Sequence, residues 1–125
     1  HNYLGNYNEA TKDYLQYINI TKGTELEAAA HYGLGWLYNR QEIYHWAAQS
    51  FEKAITGDNE LSRKATYYEA INHKLAGNYQ RSMDTFHEFG DKFKSGLWVE
   101  EAYYEWSISA FEGDIYNARG SLFCK

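Results

Sequence analysis

A chain of 125 residues with a formal charge of −5 is long enough for one hydrophobic core and carries no basic run that would hold a phosphate backbone. Nucleic acid is therefore not expected as a general partner. No stretch approaches the roughly 20 consecutive apolar residues of a membrane-spanning helix, and the absence of proline, with few alternating apolar patterns, predicts an all-α chain.

A short pattern recurs along the chain and predicts an internal repeat. Gly77-Asn78-Tyr79 resembles Gly5-Asn6-Tyr7, Glu42-Ile43-Tyr44 and Gly113-Asp114-Ile115, at steps of 37, 35 and 36 residues (42−5, 77−42 and 113−77). A glycine can adopt the left-handed conformation that ends a helix, and an Asn or Asp side chain can accept the first amide protons of the next helix. The pattern therefore predicts tight corners between helices, with one helix hairpin in each 35 to 37 residues.

The corners divide the chain, taken in order, into four units. Residues 1–23 hold the second helix of a partial repeat, 24–57 and 58–94 are full repeats, and 95–125 is a partial repeat that ends within a helix. This gives about seven helices in a single domain, with a half hairpin at each end. Such ends are expected in an internal segment of a longer array, or where a partner or a second copy covers them.

The predicted helices carry capping signals and apolar faces. Thr24 with Glu27 predicts a capping box that opens the second helix, and Asp58 or Asn59 opens the fourth after Gly57 has closed the third. Apolar residues at three- and four-residue steps predict one buried face per helix. These faces include Tyr14, Leu34, Ala47, Phe51, Ala54, Phe86, Phe93, Val99, Ala102 and Trp106.

One segment resembles a known helical repeat. Leu34-Gly35-x-x-Tyr38, followed by Ala47-x-x-x-Phe51-x-x-Ala54, is similar in residue type and spacing to the tetratricopeptide repeat. In the next repeat Glu69 occupies the position of the leucine, and in the last repeat Glu105-Trp106 occupies the positions of the Leu-Gly pair. The resemblance implies a right-handed solenoid of antiparallel helix hairpins that acts as a protein-protein interaction scaffold.

A second segment resembles one subgroup of that family. Phe86-x-x-Phe89-x-x-x-Phe93-Lys94-Ser95, followed by Glu100-Glu101-Ala102-Tyr103-Tyr104, looks like bacterial cell-envelope repeat proteins related to outer-membrane assembly lipoproteins and the Tol-Pal coordinator. Lys94 stands where those proteins have a proline. The resemblance implies a periplasmic or outer-membrane-associated location.

The residue types that carry catalysis do not assemble into a motif. His31, His45, His73 and His87 are scattered, so neither an enzyme nor a metal or other cofactor is expected. Asp84, His87 and Asp91 share a helix face and could together hold a metal ion, but a solvated polar face is the simpler interpretation. Glu69 and Glu105 are expected to be partly buried carboxylates that either snorkel to solvent or are paired.

The resemblance also implies a binding surface, because in tetratricopeptide superhelices the first helix of each hairpin lines the concave groove. Aromatic rings in this groove are expected to pack against apolar side chains of a bound peptide or helix, and the cations of the groove are expected to attract carboxylates of the partner. Alternatively, the tyrosines pack between hairpins and the charges are only solvated. The expected partner-binding residues are Tyr32, Trp36, Asn39, Arg40, Lys64, Tyr67, Ile71, Lys74, Glu100, Tyr103 and Ser107.

Other functions stay open at this point. The carboxylate clamp of chaperone-tail-binding members is absent, since its places hold Tyr32, Trp36, Glu100 and Tyr104. One rival function is a structural spacer whose ends stack on other repeats. The other is a regulatory domain that senses a small ligand or peptide in a closed pocket between Trp36, Tyr67 and Tyr103.

Overall fold

The computed structural model describes residues 3–93, 95–96, 98–108 and 111, and every regular element in this part is an α-helix. The helices are α1 (Tyr3–Thr21), α2 (Leu26–Arg40), α3 (Tyr44–Lys53), α4 (Glu60–Leu75) and α5 (Tyr79–Lys92), followed by α6 (99–108). The prediction of an all-α chain is confirmed. The seventh predicted helix, after Gly113, lies outside the described residues.

Consecutive helices form the packing unit of the fold. From α1 to α5 each helix contacts the next one along the chain, and α2 also contacts α4, whereas α1 and α3 have no such contact with each other in the described part. The even-numbered helices α2 and α4 therefore approach each other, and α1 and α3 flank α2.

Two of the predicted corners are confirmed by their backbone conformation. Gly77 ends α4 in the left-handed region with φ +86°, and Glu42 takes the same region with φ 62° between α2 and α3. The Glu42 amide donates to the Asn39 carbonyl oxygen at 2.9 Å, which closes the turn. The backbone thus repeats after 35 residues although one copy lacks the glycine that this conformation favours.

At two other predicted corners the helix-ending role assigned to the glycine is wrong. Helix α1 begins at Tyr3, so Gly5 lies inside it, and a single glycine costs a helix only about 1 kcal/mol. Helix α3 ends at Lys53, and Gly57 does not have a positive φ; its amide donates to Ser62 Oγ at 3.2 Å. The corner at Gly113 lies outside the described residues.

Side-chain caps open two of the helices. Asn59 Oδ1 accepts from the Ser62 amide at 2.7 Å at the start of α4, and Asn78 Oδ1 accepts from the Arg81 amide at 3.3 Å at the start of α5, as the sequence predicted. The capping box predicted at Thr24 does not form. The N-cap of α2 is Glu25, which has no side-chain cap, and Thr24 Oγ1 accepts from the Leu26 amide at 3.3 Å rather than from the Glu27 amide.

The hydrophobic core is built from phenylalanines and small residues. Phe51, Phe86 and Phe93 are at most 1% exposed, as the periodicity predicted, and Phe89 is equally buried. A Cβ atom on Gly35 would lie 2.8 Å from ring atoms of Phe51, so α2 and α3 approach closely there. Close packing at this point requires the glycine of the Leu-Gly pair.

Candidate functional site

The predicted partner-binding residues lie on three helices, and the structure joins these helices through their side chains. Asn39 Nδ2 on α2 donates to Asn72 Oδ1 on α4 at 2.9 Å, and Lys74 Nζ on α4 donates to Glu105 Oε2 on α6 at 3.0 Å. We call the surface formed by α2, α4 and α6 the even-helix face. It carries all eleven predicted residues, of which some are packed and others exposed.

The rings of α2 are packed rather than free. Tyr32 lies edge-on to Phe51 with centroids 5.4 Å apart, and Trp36 lies 5.4 Å from Phe51 and 4.7 Å from Tyr68. Both are half-buried. Their inner edges therefore stabilise the contact between α2, α3 and α4, and only their outer edges reach the surface.

Tyr67 and Ile71 on α4 are also part of the packing. The Tyr67 ring lies 5.7 Å from Phe86 and 5.2 Å from Trp98, and Ile71 packs on the same cluster. Burial, followed by the nearby carboxylate of Glu105, raises the pKa of Tyr67 to about 12. The phenol therefore stays neutral throughout the physiological range.

Two of the three predicted cations are already paired. Besides the Lys74–Glu105 pair, whose side chains are both 17% exposed, Lys64 Nζ lies 3.9 Å from Glu60 on the same helix. Arg40 is exposed at the end of α2. Since Lys64 and Lys74 have carboxylate neighbours within the chain, Arg40 is the predicted cation most open to a partner.

Three predicted residues on α6 are exposed. Tyr103 is 55% exposed, although its hydroxyl lies against α5, where a Cβ atom on Gly90 would come within 2.9 Å of it. Glu100 is exposed, and the exposed Ser107 donates from Oγ to the Tyr103 carbonyl oxygen at 3.2 Å. This end of the even-helix face offers a ring edge and a carboxylate to solvent.

The predicted carboxylates behave as expected, and one forms a buried cluster. Glu69 is 6% exposed and its Oε2 lies 3.1 Å from His73 Nε2, while Arg81 Nε lies 3.4 Å from the same nitrogen. Burial raises the pKa of Glu69 above its ordinary value, against the opposing hydrogen bond of His73. Glu105 is the partner of Lys74, so both predicted carboxylates are paired.

Two residues that connect the helices were missed by the sequence prediction. The Tyr68 ring bridges Trp36 and Trp98, with centroids 4.7 Å and 6.0 Å away. Trp98 holds φ 73°, a conformation that is uncommon for a bulky residue. The steps between them are 32 and 30 residues (68−36 and 98−68), so a search at the repeat length cannot find this row.

A second surface feature lies outside the prediction. A cleft of about 640 Å³ is lined by residues that include Glu25, Lys53 and Glu60, where α2, α3 and α4 meet. Nearby, burial lowers the pKa of His31, whose Nε2 lies 3.6 Å from Glu27. None of the eleven predicted residues is among those that line the cleft.

Within the described ranges, no group of three or more His, Cys, Asp or Glu side chains has an arrangement that could hold a metal ion. His87 Nδ1 lies 3.4 Å from Asp91, and Asp84 accepts from Gln80 Nε2 at 2.9 Å, all at the surface. None of the described helices combines the length and the apolar character needed to cross a bilayer. No protein-family model, curated protein or solved structure matches the chain.

Proposed function

We propose that the chain is a segment of a right-handed, tetratricopeptide-like solenoid that binds a protein partner along the even-helix face. One observation carries the proposal: half-buried rings run from α2 through α4 to Trp98 in edge-to-face contact, from Trp36 to Tyr68 to Trp98. Such a row gives a rigid surface whose outer ring edges are available to a peptide or helix, at little cost in side-chain entropy.

The contact between α2 and α4 supports this arrangement. In the proposed solenoid, first helices of successive hairpins form one layer, and α2 and α4 are those helices. Exposed Arg40 at one end and exposed Glu100 and Tyr103 at the other would orient a bound segment. A bacterial envelope location is implied only by the family resemblance.

The test compares variants on exposed positions, because changing the packed rings would damage the fold. The variant Arg40→Ala/Tyr103→Ala is used to capture partners from a lysate of the source organism. The matched control, Gln80→Ala/His87→Ala, alters two exposed positions on α5. We expect the control to retain a partner that the first variant loses, with equal helicity in both. If all forms keep the same partners, the even-helix face is not the binding surface.

The spacer function is favoured by one observation. Tyr17 and Ile20 on α1 are 43% and 79% exposed, so an apolar surface of this helix is open to a further helix. The sensor function has less support, because its three rings have different neighbours. Trp36 packs on Phe51, Tyr67 on Phe86, and Tyr103 against α5.

A further inference from the structure

A recess lies between α1 and α3, with α2 as its floor. It has a volume of about 260 Å³ and is lined by the side chains of Leu15, Leu34, Tyr38 and Trp46 together with the polar Gln49, Ser50 and Lys53. Leu15 is 47% exposed and Trp46 is 52% exposed, and the indole stands edge-on to Tyr38 with centroids 5.5 Å apart. Two large apolar side chains thus border an open space, which we call the α1/α3 recess.

This recess is separate from the even-helix face. On α2, Leu34 and Tyr38 are each two positions from Trp36. Two residues correspond to a rotation of about 200° about the helix axis, so both lie on the opposite side of α2 from Trp36. A ligand in the recess would therefore contact the other side of α2. The two surfaces can be changed independently.

The equivalent place in the next hairpin is polar. Residues 35 positions further along from Leu34, Tyr38 and Trp46 are Glu69, His73 and Arg81 (69−34, 73−38 and 81−46). There His73 Nε2 lies 3.1 Å from Glu69 Oε2 and 3.4 Å from Arg81 Nε. The second hairpin therefore joins three polar side chains at these positions, whereas the first hairpin has a leucine and two aromatic rings there.

The charge at the rim also differs between the two hairpins. Lys53 lines the α1/α3 recess, and the residue 35 positions on is Glu88 (88−53). Lys53 is exposed and has no ion pair within the part of the chain that the structure describes. Glu52 on α3 and Glu88 on α5 lie near enough to Glu69 to contribute to its raised pKa. A cation therefore borders the α1/α3 recess, and carboxylates lie near the equivalent place in the next hairpin.

We propose that the α1/α3 recess docks a short acidic segment of a partner protein. One aromatic or branched aliphatic side chain enters between Leu15 and Trp46, and a neighbouring carboxylate meets Lys53. The volume of about 260 Å³ suits a single large side chain, since sites for drug-sized ligands begin at about 300 Å³. Charge complementarity with Lys53 selects an acidic segment over a basic one.

The test follows the Trp46 indole N–H and backbone amide signals of the ¹⁵N-labelled chain by NMR. The probe is a capped tetrapeptide with leucine and phenylalanine between two aspartates, and its charge-reversed counterpart has lysines at the outer positions. We expect the acidic probe to shift the Trp46 and Leu34 signals saturably. The variant Lys53→Glu should weaken the acidic probe about tenfold and favour the basic one, because it replaces an attraction by a repulsion and a tenfold change corresponds to about 1.4 kcal/mol.

Two variants at exposed positions control this test. Glu88→Lys reverses charge at the matching place of the second hairpin and should leave the affinity within about twofold. Trp46→Gln should abolish the saturable shift of the Leu34 backbone amide while preserving helicity. Equal shifts by both probes, or binding unaltered by Lys53→Glu, would overturn the proposal. Shifts of the Trp46 signal that depend on protein concentration alone would also overturn it, because the occupant would then be a second copy of the chain.

Discussion

The close approach of α2 and α3 at Gly35 leads to a quantitative prediction. A Cβ atom there would lie 2.8 Å from two ring atoms of Phe51 and 3.0 Å from a third. Phe51 is fully buried between the rings of Tyr32, Trp36 and Tyr68, so it cannot move away without displacing them. The variant Gly35→Ala must therefore separate the two helices.

The size of the effect follows from two opposing terms. Replacing a helical glycine by alanine stabilises a helix by about 1 kcal/mol. Overpacking of a closed core costs about 1 to 3 kcal/mol, and a clash with the face of an enclosed ring belongs at the upper end. We expect Gly35→Ala to lower the free energy of unfolding by about 2 kcal/mol, which lowers Tm by about 8 °C for a chain of this size.

Gly33 provides the matched control on the same helix. A Cβ atom there would lie 2.7 Å from a Tyr14 ring atom, but it meets the outer end of a half-buried side chain that can swing aside. Gly33→Ala should therefore range from neutral to about 1 kcal/mol more stable. Urea unfolding followed by circular dichroism measures both variants. If Gly35→Ala proves as stable as Gly33→Ala, the argument from close packing is wrong.

Three further predictions concern the backbone and the buried charges. Glu42→Gly should stabilise the chain by about 1 kcal/mol, because glycine holds φ 62° without strain; an unchanged urea midpoint would contradict this. Burial raises the pKa of Glu69 above 4.5, so its contribution to stability is present below pH 4.5 and is lost as the pH rises through the folded-state pKa. Glu69→Gln, which can still bond to His73, should flatten this pH dependence in urea titrations, and an identical slope would refute the assignment. Lys74→Met should lower the free energy of unfolding by about 1 to 2 kcal/mol, because it leaves the largely buried Glu105 without this partner. The double variant Lys74→Met/Glu105→Gln should recover part of the loss. A double-mutant cycle with no coupling would show that the pair contributes nothing.

The sequence by itself determined the helical class and most of the local structure. Helix starts at Asn59 and Asn78 and the corners at Glu42 and Gly77 depend on residues within a few positions of each other, which a single sequence displays. The spacing of Phe86 and Phe93 likewise predicted the buried face of α5, to which the structure adds Phe89. Gly5 was misassigned because a glycine inside a helix and one that ends a helix look alike in sequence.

Only the tertiary structure decided which side chains on the predicted face are free. Tyr67 and Trp36 pack inward while Tyr103 stays exposed, because the rings that Tyr67 and Trp36 meet come from other helices. The pairing of Lys74 with Glu105 spans 31 residues, and the row through Tyr68 does not follow the repeat length. The contrast between the α1/α3 recess and the bonded Glu69, His73 and Arg81 side chains of the next hairpin also required the structure, since it depends on contacts between side chains that periodicity does not encode.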